Sequence, residues 1–537
     1  MKNPDHNQHP TRLRARTRAL GAATLGVALL MAPKLWAQQP SSAEEQRSAE
    51  EARLTASAET GEASPDDGQR PQLTVDQELA RLVARPGGLT AHEAAERAVS
   101  TSYQIAAAEA REHAAQSSVS AARARYSPRV TLMASYQRLS PVESPSLGTV
   151  VVAPGADAGL IAPTQVLVAA PFSFPSLENQ TNLRAQLLVP LTDYFLRYPQ
   201  ALGASRQGRS RARYEREATL ARTRTEAQIA YYSWARATLQ CVVAEQASRR
   251  ARLHRDDIER MHLAGLATNA DLQAVEAQLA RADLTEVRAK NQAAISEDRL
   301  KNVLHLPPDA QLSIGEDLLA VPAPQAIPPL EQGWREARQR RPELMALDAA
   351  QRQFRRQADS LRGAELPRVD ATAEVLTANP NPRYQPPLDE FKTTWAVGVQ
   401  ATWTVTDLPQ RRAERAALVA QADAVGSDRD ALADAIRSEV VEASRILGQS
   451  GAALEAARRS ATAAQIAYDV RLNQHRAGTA TSVELTDAET ELTAARVDFI
   501  DALLDVRIAA VRLDYALGRA APQASDPSRT EPQRAGR

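Results

Sequence analysis

The sequence HRAGTATSVEL occupies residues 475–485, and an altered copy, HLAGLATNADL, occupies residues 262–272. In each copy a glycine, Gly265 or Gly478, separates two long stretches of helical pattern. Glycine is the residue best suited to the left-handed turn that closes a helix. We therefore predict two helical hairpins, each turning at its glycine. The alternative is that each glycine is an ordinary helix C-cap, with no role in contacting another protein.

The two copies belong to two repeats of one design. Pro128 and Pro367 open matching segments 239 residues apart, whereas Gly265 and Gly478 lie 213 residues apart, so the first repeat carries 26 additional residues. We place these in a Pro-rich loop over 140–180, whose counterpart at 377–391 is shorter. Each repeat has the order helix, strand, loop, strand, very long helix, glycine turn, helix.

The predicted organisation follows from these repeats and from the composition of the two ends. It comprises a signal peptide 1–37, a flexible N-terminal segment 38–88, a first repeat 89–305, a Pro-rich linker 306–328, a second repeat 329–518 and a disordered tail 519–537.

The helices are unusually long. The segments 200–262 and 411–476 contain no proline, which predicts helices of roughly 95 and 100 Å at 1.5 Å per residue. The last helix carries an alternating seam of large residues and alanines, namely Leu485, Ala488, Leu492, Ala495, Phe499, Ala502, Val506, Ala509, Leu513 and Ala516. A second apolar flank, with Ile500, Leu504 and Ile508, predicts neighbours on both sides, as in the staves of a barrel. A plain antiparallel bundle or a fibrous coiled coil is the alternative.

The strands alternate cleanly between apolar and polar residues. In the last strand Trp395, Val397, Val399 and Trp403 share one face. The two tryptophans lie about 26 Å apart along a strand, which fits the aromatic girdles at the two edges of an outer-membrane barrel. An ordinary half-buried antiparallel sheet has the same period. Four strands cannot close a membrane barrel, because known barrels need at least eight and lipid does not tolerate open edges. Three chains would supply twelve.

Composition narrows the function classes. Arginines at 12, 14, 16 and 18 precede a short apolar run, 19–32, which is typical of a secretory signal peptide. The rest of the sequence has no apolar stretch of about 20 residues, which leaves a soluble periplasmic protein, a secreted protein or an outer-membrane barrel. The chain has 65 basic and 65 acidic residues, which argues against a nucleic-acid partner. His92-Glu93-Ala94-Ala95-Glu96 lacks the second histidine of a zinc-protease helix, so we expect neither an enzyme, nor a cofactor, nor a metal site.

Three features together resemble the TolC family of outer-membrane efflux proteins over positions 89–518. They are the glycine turn followed by [Thr/Ser]-x-x-[Asp/Glu]-Leu, the Ala/Leu seam closing at Leu517-Gly518, and the opening Leu89-Thr90-Ala91-His92-Glu93-Ala94. The resemblance implies a mixed, mainly α fold. Long coiled-coil-like helices form a periplasmic α-barrel, and four strands per chain contribute to a trimeric 12-stranded transmembrane β-barrel.

The same resemblance implies a function and partners. The chain would be the exit duct of a tripartite efflux or type I secretion system in the outer membrane of a Gram-negative bacterium, extending into the periplasm. It would export small molecules or polypeptides passively, driven by an inner-membrane pump of the RND, ABC or MFS class. Its hairpin tips, at Gly265, Leu266, Ala267, Gly478, Thr479 and Ala480, would meet a periplasmic adaptor protein. A soluble periplasmic coiled-coil scaffold is the alternative.

Carboxylates follow each tip. The resemblance implies that Glu484 and Asp487, with Asp271 as the first-repeat counterpart, line a narrow entrance and attract cations. Acidic residues are also favoured at any helix N-terminus, so capping alone explains them equally well. The family closes this entrance with a tyrosine before the second tip and an arginine after its glycine. This chain has His475 and Ala480 there, so we expect that latch to be absent.

Overall fold

A computed structural model of the chain describes residues 75–142, 148–152, 164, 166–171, 177–385 and 387–520. The predicted signal peptide lies outside these ranges, as do nearly all of the predicted tail and much of the loop 140–180. The first repeat contains, in chain order, α1 (Val75–Leu82), α2 (Ala91–Thr101), α3 (Tyr103–Ala124), β1 (Arg129–Arg138), β2 (Thr149–Val152), β3 (Val168–Pro171), β4 (Asn179–Pro190), α4 (Leu191–Leu196), α5 (Tyr198–Leu263) and α6 (Asn269–Val303).

The second repeat has the same order in a shorter form. It contains α7 (Leu330–Arg340), α8 (Pro342–Ala364), β5 (Arg368–Asn379), β6 (Lys392–Thr402), a short 3₁₀ turn (Val405–Asp407), α9 (Leu408–Arg476) and α10 (Ser482–Ala516). The prediction of a mainly helical chain with four principal strands is confirmed. The long helices have 66 residues in α5 and 69 in α9, which corresponds to about 100 Å each. Each begins with a proline in its first turn, where no backbone donor is needed.

The four principal strands form one antiparallel sheet in the order β1-β4-β5-β6. Strands β4 and β5 come from different repeats and pair in the middle, from Thr181 opposite Asn379 to Pro190 opposite Asp370. Within the described part of the chain, β1 and β6 are each hydrogen-bonded along one edge only. The sheet therefore joins the two repeats and leaves both of its outer edges open.

The core lies where the shorter helices meet the long hairpins. One apolar cluster joins Tyr231 and Leu239 of α5, Leu300 of α6, and Ile500 and Leu504 of α10. A second cluster joins α7, α8, α9 and α10 around residues such as Ile436, Val440 and Leu513. The seam of α10 contacts α9 while its second flank contacts α5, so this helix has neighbours on both sides, as its apolar pattern predicts.

Three local features differ from the sequence expectations. Residues 75–82, within the segment predicted to be flexible, form α1, because Leu79 and Val83 are buried in the first core cluster. Strands β2 and β3 pair antiparallel where a plain loop was expected, and β2 is a β-branched run that favours extended backbone. Strand β6 ends at Thr402, so Trp403 lies just beyond the strand on which it was predicted.

Candidate functional site

Both long hairpins turn through the same backbone motif. At the first tip Gly265 has φ of 76°, its N–H donates to the His262 carbonyl, and the Leu266 N–H donates to the Met261 carbonyl. At the second tip Gly478 has φ of 73°, and the Thr479 N–H likewise reaches back to the Gln474 carbonyl. These paired bonds are the Schellman motif, which satisfies the last carbonyls of a helix. A Cβ built at either glycine meets nothing within 4 Å, so lack of space does not explain why glycine stands there. The positive φ explains it, because other residues rarely adopt that conformation.

A capping box starts the returning helix at each tip. The Thr481 hydroxyl accepts from the Glu484 N–H, and the Glu484 carboxylate accepts from the Thr481 N–H at 2.9 Å. Thr268 and Asp271 repeat the arrangement in the first hairpin. The backbone and side-chain bonds from Thr481 lower the pKa of Glu484, and those from Thr268 lower the pKa of Asp271. Two of the three predicted entrance carboxylates therefore also serve as helix caps and carry a negative charge at neutral pH.

The tip residues differ in what they offer to a partner. Leu266 is 75 % exposed, and Gly265, Gly478 and Thr479 are exposed as well. Ala480 is buried, and its carbonyl accepts from Nδ1 of His475 at 3.1 Å. The two tips are therefore alike in backbone but not in surface. The first presents a leucine and the second presents a threonine.

The structure brings together Asp271 and Asp487 but not Glu484. Asp271 and Asp487 line one cleft of about 770 Å³ between α5, α6 and α10. Glu484 points instead towards α9, where Arg471 lies 3.7 Å from its carboxylate. The sequence therefore predicts the right residues near the tip but does not show which of them share a cleft.

Sequence reasoning missed two acidic residues of this cleft, Asp498 and Glu489 of α10. Glu489 is the unusual one. Its side chain is buried, and burial raises its pKa to about 7, against the opposing effect of Arg250 of α5. The position falls one residue away from Ala488 of the seam, so the sequence carries no sign that it is buried. In the ranges that the structure describes, no group of three or more His, Cys, Asp or Glu side chains could hold a metal ion.

The sheet has one apolar face and one polar face. Directly opposed residues form apolar rows across all four strands, such as Leu132, Ala185, Val375 and Trp395, and then Val130, Leu187, Ala373 and Val397. These rows are open to the surroundings, with Trp395 70 % and Val397 74 % exposed. Trp403 is exposed at the end of this face, where its indole N–H donates to the carbonyl of Glu365 at 3.1 Å.

The other face carries polar and charged residues. The row Thr131, Gln186, Glu374 and Ala396 runs across the strands, and Arg184 lies 3.5 Å from the Glu374 carboxylate. An uncovered apolar face that extends across four strands indicates a surface that contacts lipid or an apolar partner. None of the helices in the described ranges is both long enough and apolar enough to cross a membrane.

The family model described as outer membrane efflux protein matches residues 94–304 and 334–519. The structure is similar to the CmeC outer membrane channel of Campylobacter jejuni, with a TM-score of 0.66 at 14% identity over 87% of this chain and 93% of that one. No curated protein matches the chain by sequence.

Two further solved structures share the fold. The open-state MtrE outer membrane channel of Neisseria gonorrhoeae has a TM-score of 0.64 at 15% identity, over 80% of this chain and 88% of that one. The outer membrane protein VceC of Vibrio cholerae has a TM-score of 0.61 at 15% identity, over 80% and 96%. The family match covers both repeats, including both hairpins and the sheet, and the chain therefore belongs to the outer membrane efflux protein family.

Proposed function

We propose that this chain is the outer-membrane exit duct of a tripartite efflux or type I secretion system. The observation that supports the proposal most directly is the sheet, whose apolar face is exposed and whose two edges are open. Open edges and an uncovered apolar face are tolerated together when the edges pair with other copies and the face meets lipid. Three copies supply twelve strands, enough to close a barrel.

The rest of the molecule suits a conduit below such a barrel. Helices α5 and α9 are each about 100 Å long and would carry a passage through the periplasm. The polar face of the sheet, with Arg184 and Glu374, would line a water-filled lumen. Trp395 on the apolar face and Trp403 at its end would lie near the membrane interfaces.

The exposed hairpin tips would meet a periplasmic adaptor, which connects the duct to an inner-membrane pump of the RND, ABC or MFS class. Leu266 offers an apolar contact, and Gly265, Gly478 and Thr479 leave backbone accessible. Ala267 and Ala480 are less accessible and would hold the shape of the turns. Transport through the duct would be passive, because the inner-membrane pump would supply the energy.

Two arginine substitutions one residue apart test the membrane assignment. Val397→Arg places a charge on the apolar face, where lipid contact costs about 2–4 kcal/mol near the bilayer midplane. Ala396→Arg places the same charge on the polar face, opposite Glu374. We expect Val397→Arg to reduce strongly the SDS-resistant, heat-dissociable trimer in isolated outer membranes. Ala396→Arg should leave its amount near that of the unchanged protein.

The alternative, a soluble periplasmic scaffold, predicts no such difference between the two variants. In water an arginine at 397 would cover apolar surface and improve solubility, and neither variant would alter membrane recovery. Equal recovery of both variants in the soluble periplasmic fraction, together with a water-soluble monomer for the unchanged chain, would rule out the duct.

A further inference from the structure

Two histidines meet beside the second hairpin tip and connect three helices. His254 lies in α5 and is only 7 % exposed, and His475 lies in the last turn of α9. Their ring centroids are 5.4 Å apart with planes at 64°, an edge-to-face contact. Nε2 of His254 lies 2.9 Å from Oγ of Ser482, the first residue of α10. The pair therefore ties the second hairpin to α5.

The protonation state of His475 is constrained by its own hydrogen bond. Nδ1 lies 3.1 Å from the Ala480 carbonyl oxygen, which can only accept, so Nδ1 carries the proton. His262 makes the same bond to the Ala267 carbonyl at the first tip. The residue that matches His254 in the second repeat, at the 213-residue offset of the glycines, is Ala467. The first tip therefore keeps the single histidine and its bond but has no counterpart of the ring pair.

Charged groups near the pair lie on all four hairpin helices. Asp257 of α5 acts directly on the charge of His254. Arg250 of α5, Asp271 of α6 and Glu489 of α10 line the cleft that Ser482 also lines. On α9, Arg476 directly follows His475, and Arg471 pairs with Glu484 of α10. Asp271 and Glu484 are already bonded to their capping threonines, and Glu484 also pairs with Arg471. Asp257 is the group that favours a charge on His254, and it lies on the same helix.

We propose that His254 and His475 form an acid-sensitive clasp, which holds α5 against the second hairpin while the His254 ring is neutral and loosens when that ring takes up a proton. A positive charge on His254 is unfavourable beside the His475 ring. A charge on His254 would also face the N-terminus of α10, whose partial positive charge disfavours it. The bond to Ser482 survives either state, because a hydroxyl can donate to a neutral ring or accept from a charged one.

The direction of titration agrees with this geometry. Burial, and secondly His475, lower the pKa of His254 below its ordinary value of 6.5, with Asp257 opposing. The closed clasp therefore binds protons less readily than the open one. At pH values between the ordinary pKa and the lowered pKa of His254, the open form binds more protons than the closed one. The closed clasp therefore loses stability as the pH falls below about 6.5.

Hydrogen exchange of the full chain, purified as its native assembly, tests the clasp. The segment 476–485 contains the hydrogen-bonded amides of Gly478, Thr479 and Glu484, and 263–272 contains their counterparts at the first tip. After correction for the intrinsic pH dependence of exchange, we expect protection of 476–485 to fall several-fold from pH 7.5 to pH 5.5. Protection of 263–272 should change much less.

Three variants decide the cause. His254→Gln removes the buried imidazole and should abolish the fall. His475→Phe keeps an edge-to-face ring without the second imidazole, so it should reduce the fall and leave the part that burial of His254 causes. His262→Gln is the matched control and should retain the full fall. The clasp is refuted if the unchanged protein shows no fall, if the fall persists in His254→Gln, or if both tips lose protection equally. The experiment measures hydrogen exchange in the hairpins and not transport, so failure of the duct proposal would leave this result unchanged.

Discussion

Glu489 is a buried carboxyl group on α10 whose pKa is raised to about 7 by burial. The folded protein binds its proton more tightly than the unfolded chain, whose value is 4.5. The neutral form therefore supports the fold below about pH 4.5, and this support is lost as the pH rises through 7. The shift corresponds to about 3 kcal/mol.

Glu489→Gln should therefore stabilise the protein at pH 8 and change little at pH 5, because the amide resembles the protonated acid in shape. Thermal unfolding midpoints of the variant and the unchanged protein at both pH values measure the difference. Glu491→Gln, an exposed neighbour, is the control and should show no such pH dependence. An equal effect of Glu489→Gln at pH 5 and pH 8 would contradict the buried charge.

Residues whose roles depend on local bonds are predictable from the sequence, whereas those that depend on distant contacts are not. The glycine turns and the acidic residues that follow them were found because their bonding partners lie within five residues. His254 meets Ser482 across 228 positions, and no local pattern marks that meeting. For the same reason the sequence could name Asp271 and Asp487 but could not place them in one cleft.

At the scale of elements, the glycine turns close the hairpins through backbone conformation alone. Gly478 has φ of 73° and open space around its Cβ position, so Gly478→Ala should cost about 1 kcal/mol of strain with no steric clash. Gly451, inside α9, also has open space, and its replacement should stabilise the helix by up to about 1 kcal/mol.

The pair Gly478→Ala and Gly451→Ala therefore tests whether backbone φ or the space around the added Cβ determines the change in stability. Thermal unfolding midpoints should move in opposite directions, downward for position 478 and upward for position 451. Gly265→Ala should behave as Gly478→Ala does, since its φ and surroundings match. Movement of both midpoints in the same direction would mean that the turns are not held as described.

The long helices were predicted closely, whereas the end of strand β6 and the short helix α1 were not. The absence of proline fixed α5 and α9 to within a few residues of the observed bounds. Trp403 continues the alternation of β6, yet the strand stops at Thr402 and the chain turns through Val405–Asp407 towards α9. Helix α1 was missed because the polar composition of residues 38–88 as a whole hides the apolar residues Leu79 and Val83, which reach the core.

At the scale of the whole molecule, duplication places the two tips and their carboxylates at one end of the two long hairpins. The sheet uses two strands from each repeat, so its open edges, β1 and β6, belong to different repeats. The closure by three copies that we propose would therefore join the first repeat of one copy to the second repeat of the next. Every tip carboxylate would then occur three times around a common axis.

This threefold arrangement leads to a prediction about ion selectivity. Asp487→Asn and Glu484→Gln should lower the cation-to-anion permeability ratio of single channels in planar bilayers, and the double variant should lower it further. Glutamine preserves the capping bond at Thr481, so the change isolates charge. The effect should be larger at 0.1 M than at 1 M salt, where screening is stronger. Asp298→Asn, an exposed change far along α6, should have little effect. Unchanged selectivity in the double variant would show that neither carboxylate sets selectivity and that capping accounts for Glu484.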